Sequence, residues 1–149
     1  VIKSVIKSNE NRTKILLDRI NLILNKKITN KKITFLGVTF KANTDDMRDS
    51  SSLKMIPHLS KKGAMIKYFD PTGYKKEFSK LKNVTNKTTI KEAVAGSDLV
   101  IIHTEWNDFK SINFKNLVQG KKFIIFDMRN IYSSTKIKEQ GFKYYSVGK

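Results

Sequence analysis

Apolar residues open the chain at helical spacing. Ile2, Val5 and Ile6, then Leu16, Ile20 and Leu24, fall close to one face of a helix. The polar, lysine-rich stretch Asn25 to Lys32 ends that period, and short apolar runs follow. Ile33–Val38 (ITFLGV), Ala64–Phe69, Leu99–His103 (LVIIH), Phe123–Asp127 (FIIFD) and Tyr144–Val147 read as strands. The first, third and fourth are continuously apolar, as parallel strands covered on both faces are. Between the runs lie amphipathic stretches. Ser50 to Lys62 predicts a helix opened by serines and closed by Gly63, with Pro57 predicting a kink or a boundary inside it. Thr89–Ala95, Ile112–Val118 and Ser133–Gln140 predict three more helices. Residues 72–88 are polar; Tyr74 to Leu81 fits a helix and Val84 a brief strand.

Strands alternating with short helices imply an α/β fold: a doubly wound, mostly parallel, Rossmann-like sheet preceded by a long helix. The expected division is residues 1–28 for that helix and 31–149 for the α/β domain. The chain starts at Val1, already inside the helical pattern, so the helix is expected to belong to a neighbouring part of a longer protein. Separated from it, Ile2, Val5, Ile6 and Leu16 would be partly uncovered, and removing residues 1–28 would improve solubility.

At 149 residues, 39% hydrophobic and 29% charged, the composition is that of a folded globular domain. No apolar run approaches the roughly 20 residues of a membrane helix, and no secretory signal pattern opens the chain, which points to the cytoplasm. There is no cysteine, hence no disulfide, thiolate ligand or thiol nucleophile. The net charge of +17 invites a nucleic-acid reading. However, 26 of the 30 basic residues are lysines scattered along the whole chain, without a basic stripe or a DNA-binding motif, so that reading is disfavoured.

Open α/β sheets bind ligands beyond the carboxyl ends of their strands. Three loops lie there: Thr39–Asp49, Thr104–Phe109 and Met128–Tyr132. The first lacks the G-x-G-x-x-G dinucleotide fingerprint. It offers instead the flat apolar surface of Phe40, the phosphate-seeking charge of Lys41, and Arg48 among Asp45, Asp46 and Asp49. Arg48 and Arg129 are two of only four arginines, in a chain where lysine does most basic duty. Each is either a bidentate anion ligand or part of a solvated turn. Trp106 with Glu105 could line a pocket, but core packing under the next helix is the preferred reading. His103 reads as a core histidine, and Asp70 stands where a ribose-binding acid sits in a Rossmann domain.

Together these loops resemble a known family. GVTFKANTDDMRDSS from Gly37 is similar to the G-x-x-FK-x-x-T-D-D-x-R-x-S segment of the UDP-glucose/GDP-mannose dehydrogenases. TEWNDF, FDMRNIY and GFKYYSVGK resemble later blocks of the same C-terminal domain, in order. VIKSNENRTK resembles the end of the central helix that joins the family's two α/β domains and builds its dimer. The resemblance implies that Phe40, Lys41 and Arg129 contact the UDP-sugar. It implies that Arg48 reaches toward NAD, which is bound mainly by an N-terminal domain outside this chain. The family's UDP-glucose branch oxidises UDP-glucose to UDP-glucuronate in two NAD-dependent steps through a cysteine. This chain, without the cysteine or the glycine fingerprint, is expected to be inactive alone and to act as the UDP-sugar half of a homodimeric enzyme. Ala42 and Ser51 replace frequent prolines, and Met128 replaces a small residue before Arg129. The alternatives are a dehydrogenase acting on a UDP-N-acetylhexosamine or GDP-mannose, or a stand-alone nucleotide- or nucleic-acid-binding module.

Overall fold

The computed structural model describes the backbone of residues 2–147 and the side chains of residues 10–147. Five helices, α1 (Ile2–Ile23), α2 (Ser52–Lys61), α3 (Ile90–Val94), α4 (Asn107–Lys110) and α5 (Ser134–Glu139), accompany six strands. The strands are β1 (Lys32–Leu36), β2 (Met65–Phe69), β3 (Val84–Asn86), β4 (Leu99–Ile102), β5 (Ile124–Asp127) and β6 (Tyr144–Ser146). They form one sheet in the order β3-β2-β1-β4-β5-β6, with every neighbouring pair parallel. This is the doubly wound order. The direction of winding reverses between β1 and β4, which opens a crevice beyond their carboxyl ends.

Alternate residues of the strands supply two cores. Ile33, Phe35, Ile66, Tyr68, Leu99, Ile101 and Phe126 face α1 and α2. Leu36, Val100, Ile102, Ile125 and Tyr144 face α3, α4 and α5. Burial on both faces explains why the central strands are apolar without alternation. α2 continues through Pro57 without the expected break, because Met55, Ile56 and Leu59 are fully buried around it and hold the segment down. The expected helices at 74–81 and 112–118 shrink to single 3-10 turns, Lys76–Phe78 and Phe114–Leu117, each anchored by one buried phenylalanine. α4 was not expected from the sequence pattern.

The role of α1 corrects an expectation. Leu16, Ile20 and Leu24, spaced by four, are 4%, 0% and 5% exposed within the first core. Beside them Arg19 lies over the Phe126 ring, 4.9 Å from its centroid, and Nη1 donates to the Ser146 carbonyl at 2.9 Å. Leu16 is therefore covered, and the second half of α1 closes the domain's own core. The crossovers through α3, α4 and α5 lie on the opposite face, so β5 and β6 need α1 as their cover on this one. Among its described side chains, the large apolar residues that α1 exposes are Ile15 and Leu22. Ile2, Val5 and Ile6 lie outside the residues whose side chains are described.

Candidate functional site

The turn after β1 is built by close packing rather than by a glycine-rich cradle. Gly37 has φ +80°, and a Cβ there would stand 2.5 Å from Thr104 Cβ, so only glycine fits. Ser50 and Ser52 both donate their hydroxyls to the Val38 carbonyl at 2.6 Å, which pins the start of α2 under the turn. Asp70 accepts from Val38 N at 2.8 Å and Thr39 N at 3.3 Å with one oxygen, and from Thr72 N and Oγ1 with the other. Its position matches that of a ribose-binding acid, yet both oxygens are spent on the protein's own loops.

From this turn the loop 39–49 runs outward, closed by the Phe40 amide on the Asp46 carbonyl at 3.0 Å. Phe40 is 46% exposed. Arg48 grips Asp46 with Nε and Nη2, both at 3.1 Å, on a side chain 88% exposed. That hydrogen-bonded pair lowers the Asp46 pKa and raises that of Arg48. Lys41 is exposed as well.

Arg129 is placed by a buried acid. Asp127, at the end of β5, accepts from Arg129 N (3.0 Å), Ile131 N (2.9 Å), Tyr132 N (3.1 Å) and Tyr144 Oη (2.6 Å). Four donors on one carboxylate fix the loop, and Asn130 takes φ 55° to let it turn. The Arg129 side chain then folds back so that Nε donates to the His103 carbonyl at 2.8 Å. Its terminal nitrogens have no hydrogen-bond partner among the described residues. Burial depresses the Arg129 pKa; Arg12 pushes the same way and Glu105 opposes it.

A cleft of about 360 Å³ opens between this loop and α1. Phe40 and Arg129 line it together with Ser51, His103, Met128 and, from α1, Arg12, Thr13 and Leu16. Of the four residues the sequence singles out, Phe40 and Arg129 meet here, whereas Lys41 and Arg48 do not line the cleft. The contributions of α1, Ser51 and His103 were missed; His103 and Ser51 are 52 residues apart, and no local pattern links them. His103 is 1% exposed, and burial, with the nearby Arg129 charge, lowers its pKa to about 3 against the pull of the Gly37 carbonyl. It is therefore a neutral core histidine at physiological pH. Trp106 and Phe109 belong to the second core, as preferred. No group of metal ligands occurs among the described residues. A larger groove, about 640 Å³, lies between α1 and α2; it adjoins the cleft through Glu10, Thr13 and Lys54 and runs away from it toward Ile28 and Thr29, ahead of β1.

The UDP binding domain of the UDP-glucose/GDP-mannose dehydrogenase family matches residues 34–134. A UDP-glucose 6-dehydrogenase of Rickettsia felis is 37% identical over 99% of this chain, which spans 34% of that protein. The Bacillus subtilis UDP-glucose 6-dehydrogenase YwqF is 39% identical over the whole chain, again matching 34% of the relative. The chain thus spans about a third of the length of the curated relatives it matches. Among solved structures, a UDP-glucose dehydrogenase from Pyrobaculum islandicum superposes with TM-score 0.76 over 97% of this chain and 31% of its own, at 23% identity. A UDP-D-ManNAc dehydrogenase from Pyrococcus horikoshii superposes with TM-score 0.68 over 93% and 30%, at 26% identity.

Proposed function

From the premise that the chain belongs to the UDP-glucose/GDP-mannose dehydrogenase family, we propose that the cleft between α1 and the strand ends is the UDP-sugar half of a UDP-glucose 6-dehydrogenase site. The observation that carries this reading is the half-buried Arg129 guanidinium, anchored by Nε and turned into a cleft of about 360 Å³. A guanidinium fixed at Nε keeps two parallel donors on its outer edge, the geometry a diphosphate oxygen pair accepts. Phe40 supplies the apolar face for a base or sugar ring. Lys41 adds a mobile positive charge from the rim, which can swing in when an anion arrives. Curated relatives at 35–39% identity carry the UDP-glucose name, which favours UDP-glucose over a UDP-N-acetylhexosamine or GDP-mannose.

NAD would supply the hydride acceptor of the complete enzyme. The residues present here do not fit its pyrophosphate at the β1 turn. Gly37 is the only glycine in that turn, the Val38 carbonyl is closed by two serines, and Asp70 has no oxygen free for a ribose. The cofactor would instead lie across the cleft on another part of the protein, with the exposed Arg48 reaching it after releasing Asp46. Exposed Ile15 and Leu22, seven residues apart along α1, support a homodimer through that helix. No helix among the described residues is long and apolar enough to cross a membrane, which is compatible with work in the cytoplasm.

Titration of the chain with UDP-glucose, followed by amide shifts, tests the reading, with GDP-mannose, NAD and a short DNA duplex as comparators at near-physiological salt. Saturable shifts around Phe40 and Arg129 with UDP-glucose are expected. Binding of the duplex alone, lost on raising salt, would replace this reading with nucleic-acid binding.

A further inference from the structure

Ser51 occupies the N-cap position of α2 yet caps nothing. Its backbone is helical (φ −63°, ψ −21°), and its hydroxyl makes no bond to the first turn. A serine so placed usually accepts from an amide two or three residues on, worth about 0.5–2 kcal/mol. Here Oγ lies 2.8 Å from His103 Nε2 instead, on the wall of the cleft.

The direction of that bond follows from the atoms behind it. Thr104 Oγ1 touches two groups, His103 Nδ1 at 3.0 Å and the Thr39 carbonyl at 3.1 Å. The carbonyl can only accept, and Thr39 and Thr104 are fully buried, so the single Thr104 hydrogen belongs to it. Thr104 must then accept from the ring, and Nδ1 carries the proton. A neutral imidazole has one N–H, which leaves Nε2 bare. The Ser51 hydrogen therefore points at Nε2. The opposite tautomer would set two lone pairs against each other at Thr39 and strand a buried carbonyl.

We propose, on the reading of the cleft given above, that Ser51 is a specificity residue that receives a hydrogen bond from a hydroxyl or N–H of the bound nucleotide sugar. With its own hydrogen committed to His103, Ser51 shows the cleft only lone pairs. It repels phosphate oxygens, which lack a hydrogen, and welcomes donors. Arg129, which has only hydrogens to give, does the reverse. Arg129 and Ser51 thus offer the cleft opposite polarities from the two sides of His103's bonding, which orients a ligand carrying both an anion and a donor. The pair is not a nucleophile with its base, because burial and the Arg129 charge oppose the imidazolium that a general base must become.

Two measurements on the 149-residue chain test this. Long-range proton–nitrogen spectra of the histidines should show His103 with Nδ1 protonated and Nε2 bare from pH 7 to pH 5. A proton on Nε2 overturns the assignment whatever the ligand does. UDP-glucose and UDP are then titrated into the wild type, Ser51→Ala, Ser51→Thr and Arg129→Ala. Ser51→Ala should bind UDP-glucose about 3- to 10-fold more weakly, the loss of one hydrogen bond, and Ser51→Thr should recover most of that. A matching loss with UDP places the donor on the uridine; an effect with UDP-glucose alone places it on the hexose. Unchanged Ser51→Ala affinity beside weakened Arg129→Ala affinity overturns the role of Ser51 only. A wild type that binds neither probe overturns the site reading and this role with it.

Discussion

Arg129 hangs from the carbonyl of His103: its Nε donates there at 2.8 Å while Asp127 takes its amide at 3.0 Å. Both anchors are protein atoms, so the guanidinium keeps its place without a ligand. Arg129→Ala should weaken UDP-glucose binding at least about tenfold with little change in stability. Arg129→Lys should recover little, because an ammonium cannot hold the His103 carbonyl and also offer two parallel donors. Calorimetric titration of the two variants decides it; full binding by Arg129→Lys would reduce the role of Arg129 to bare charge.

Asp127 is fully buried and receives four hydrogen bonds. Asp127→Asn turns an amide NH2 against donors and removes the charge that holds them. A loss of about 2–5 kcal/mol in urea unfolding is expected, with the 128–132 loop losing order first in hydrogen exchange. A loss under about 1 kcal/mol would mean that the loop is held by other contacts.

Deleting residues 1–28 should unfold the chain rather than improve it, because Leu16, Ile20 and Leu24 leave the first core with them. The milder Ile20→Ala should cost about 2–5 kcal/mol. Circular dichroism of the truncated chain is the check, and a native-like spectrum with cooperative melting would show that the sheet needs no cover from α1.

His103 makes stability depend on pH in one direction. The folded chain holds it neutral, with its pKa lowered to about 3, whereas the unfolded chain titrates it near the ordinary histidine value of 6.5. Protons therefore favour unfolding. The contribution is complete above about pH 6.5 and is lost as pH falls toward 3, at up to about 1.4 kcal/mol per unit. Asp46 and Asp98, whose pKa values are lowered below 3.8, add to the loss only in more acid solution. Urea midpoints of the wild type should thus fall between pH 7 and pH 5, and those of His103→Gln should fall less. Parallel profiles would contradict the neutral, buried state of His103.

The strands and the sheet were legible because a parallel strand buried on both faces needs an unbroken apolar run, and LVIIH and FIIFD can be little else. The site was half legible. Phe40 and Arg129 stand at strand ends, where topology alone concentrates ligands, whereas the directions of Lys41 and Arg48 depend on a loop whose turns are set by local side-chain bonds such as Arg48 to Asp46. The Ser51–His103 pair was hidden because 52 residues, carrying β2, β3 and β4, separate its members. Periodicity correctly showed that Leu16, Ile20 and Leu24 share a face, but a period cannot name what covers that face. Residues 74–81 and 112–118 failed as helices because each buries a single phenylalanine, Phe78 or Phe114, too little to sustain further turns.

The packing of α1 gives the cleft one hard side and one soft side. Moving α1 would drag Leu16 and Ile20 out of the sheet's interior and tear Arg19 from Phe126 and Ser146, so that side can neither widen nor tilt without partial unfolding. The opposite side is the 39–49 loop, rooted by buried Met47 and by Thr104 on the Thr39 carbonyl, held between them by short local bonds and tipped by the exposed Phe40. Any adjustment to the size of a guest must come from that tip, like the moving jaw of a vice whose other jaw is cast into the bench.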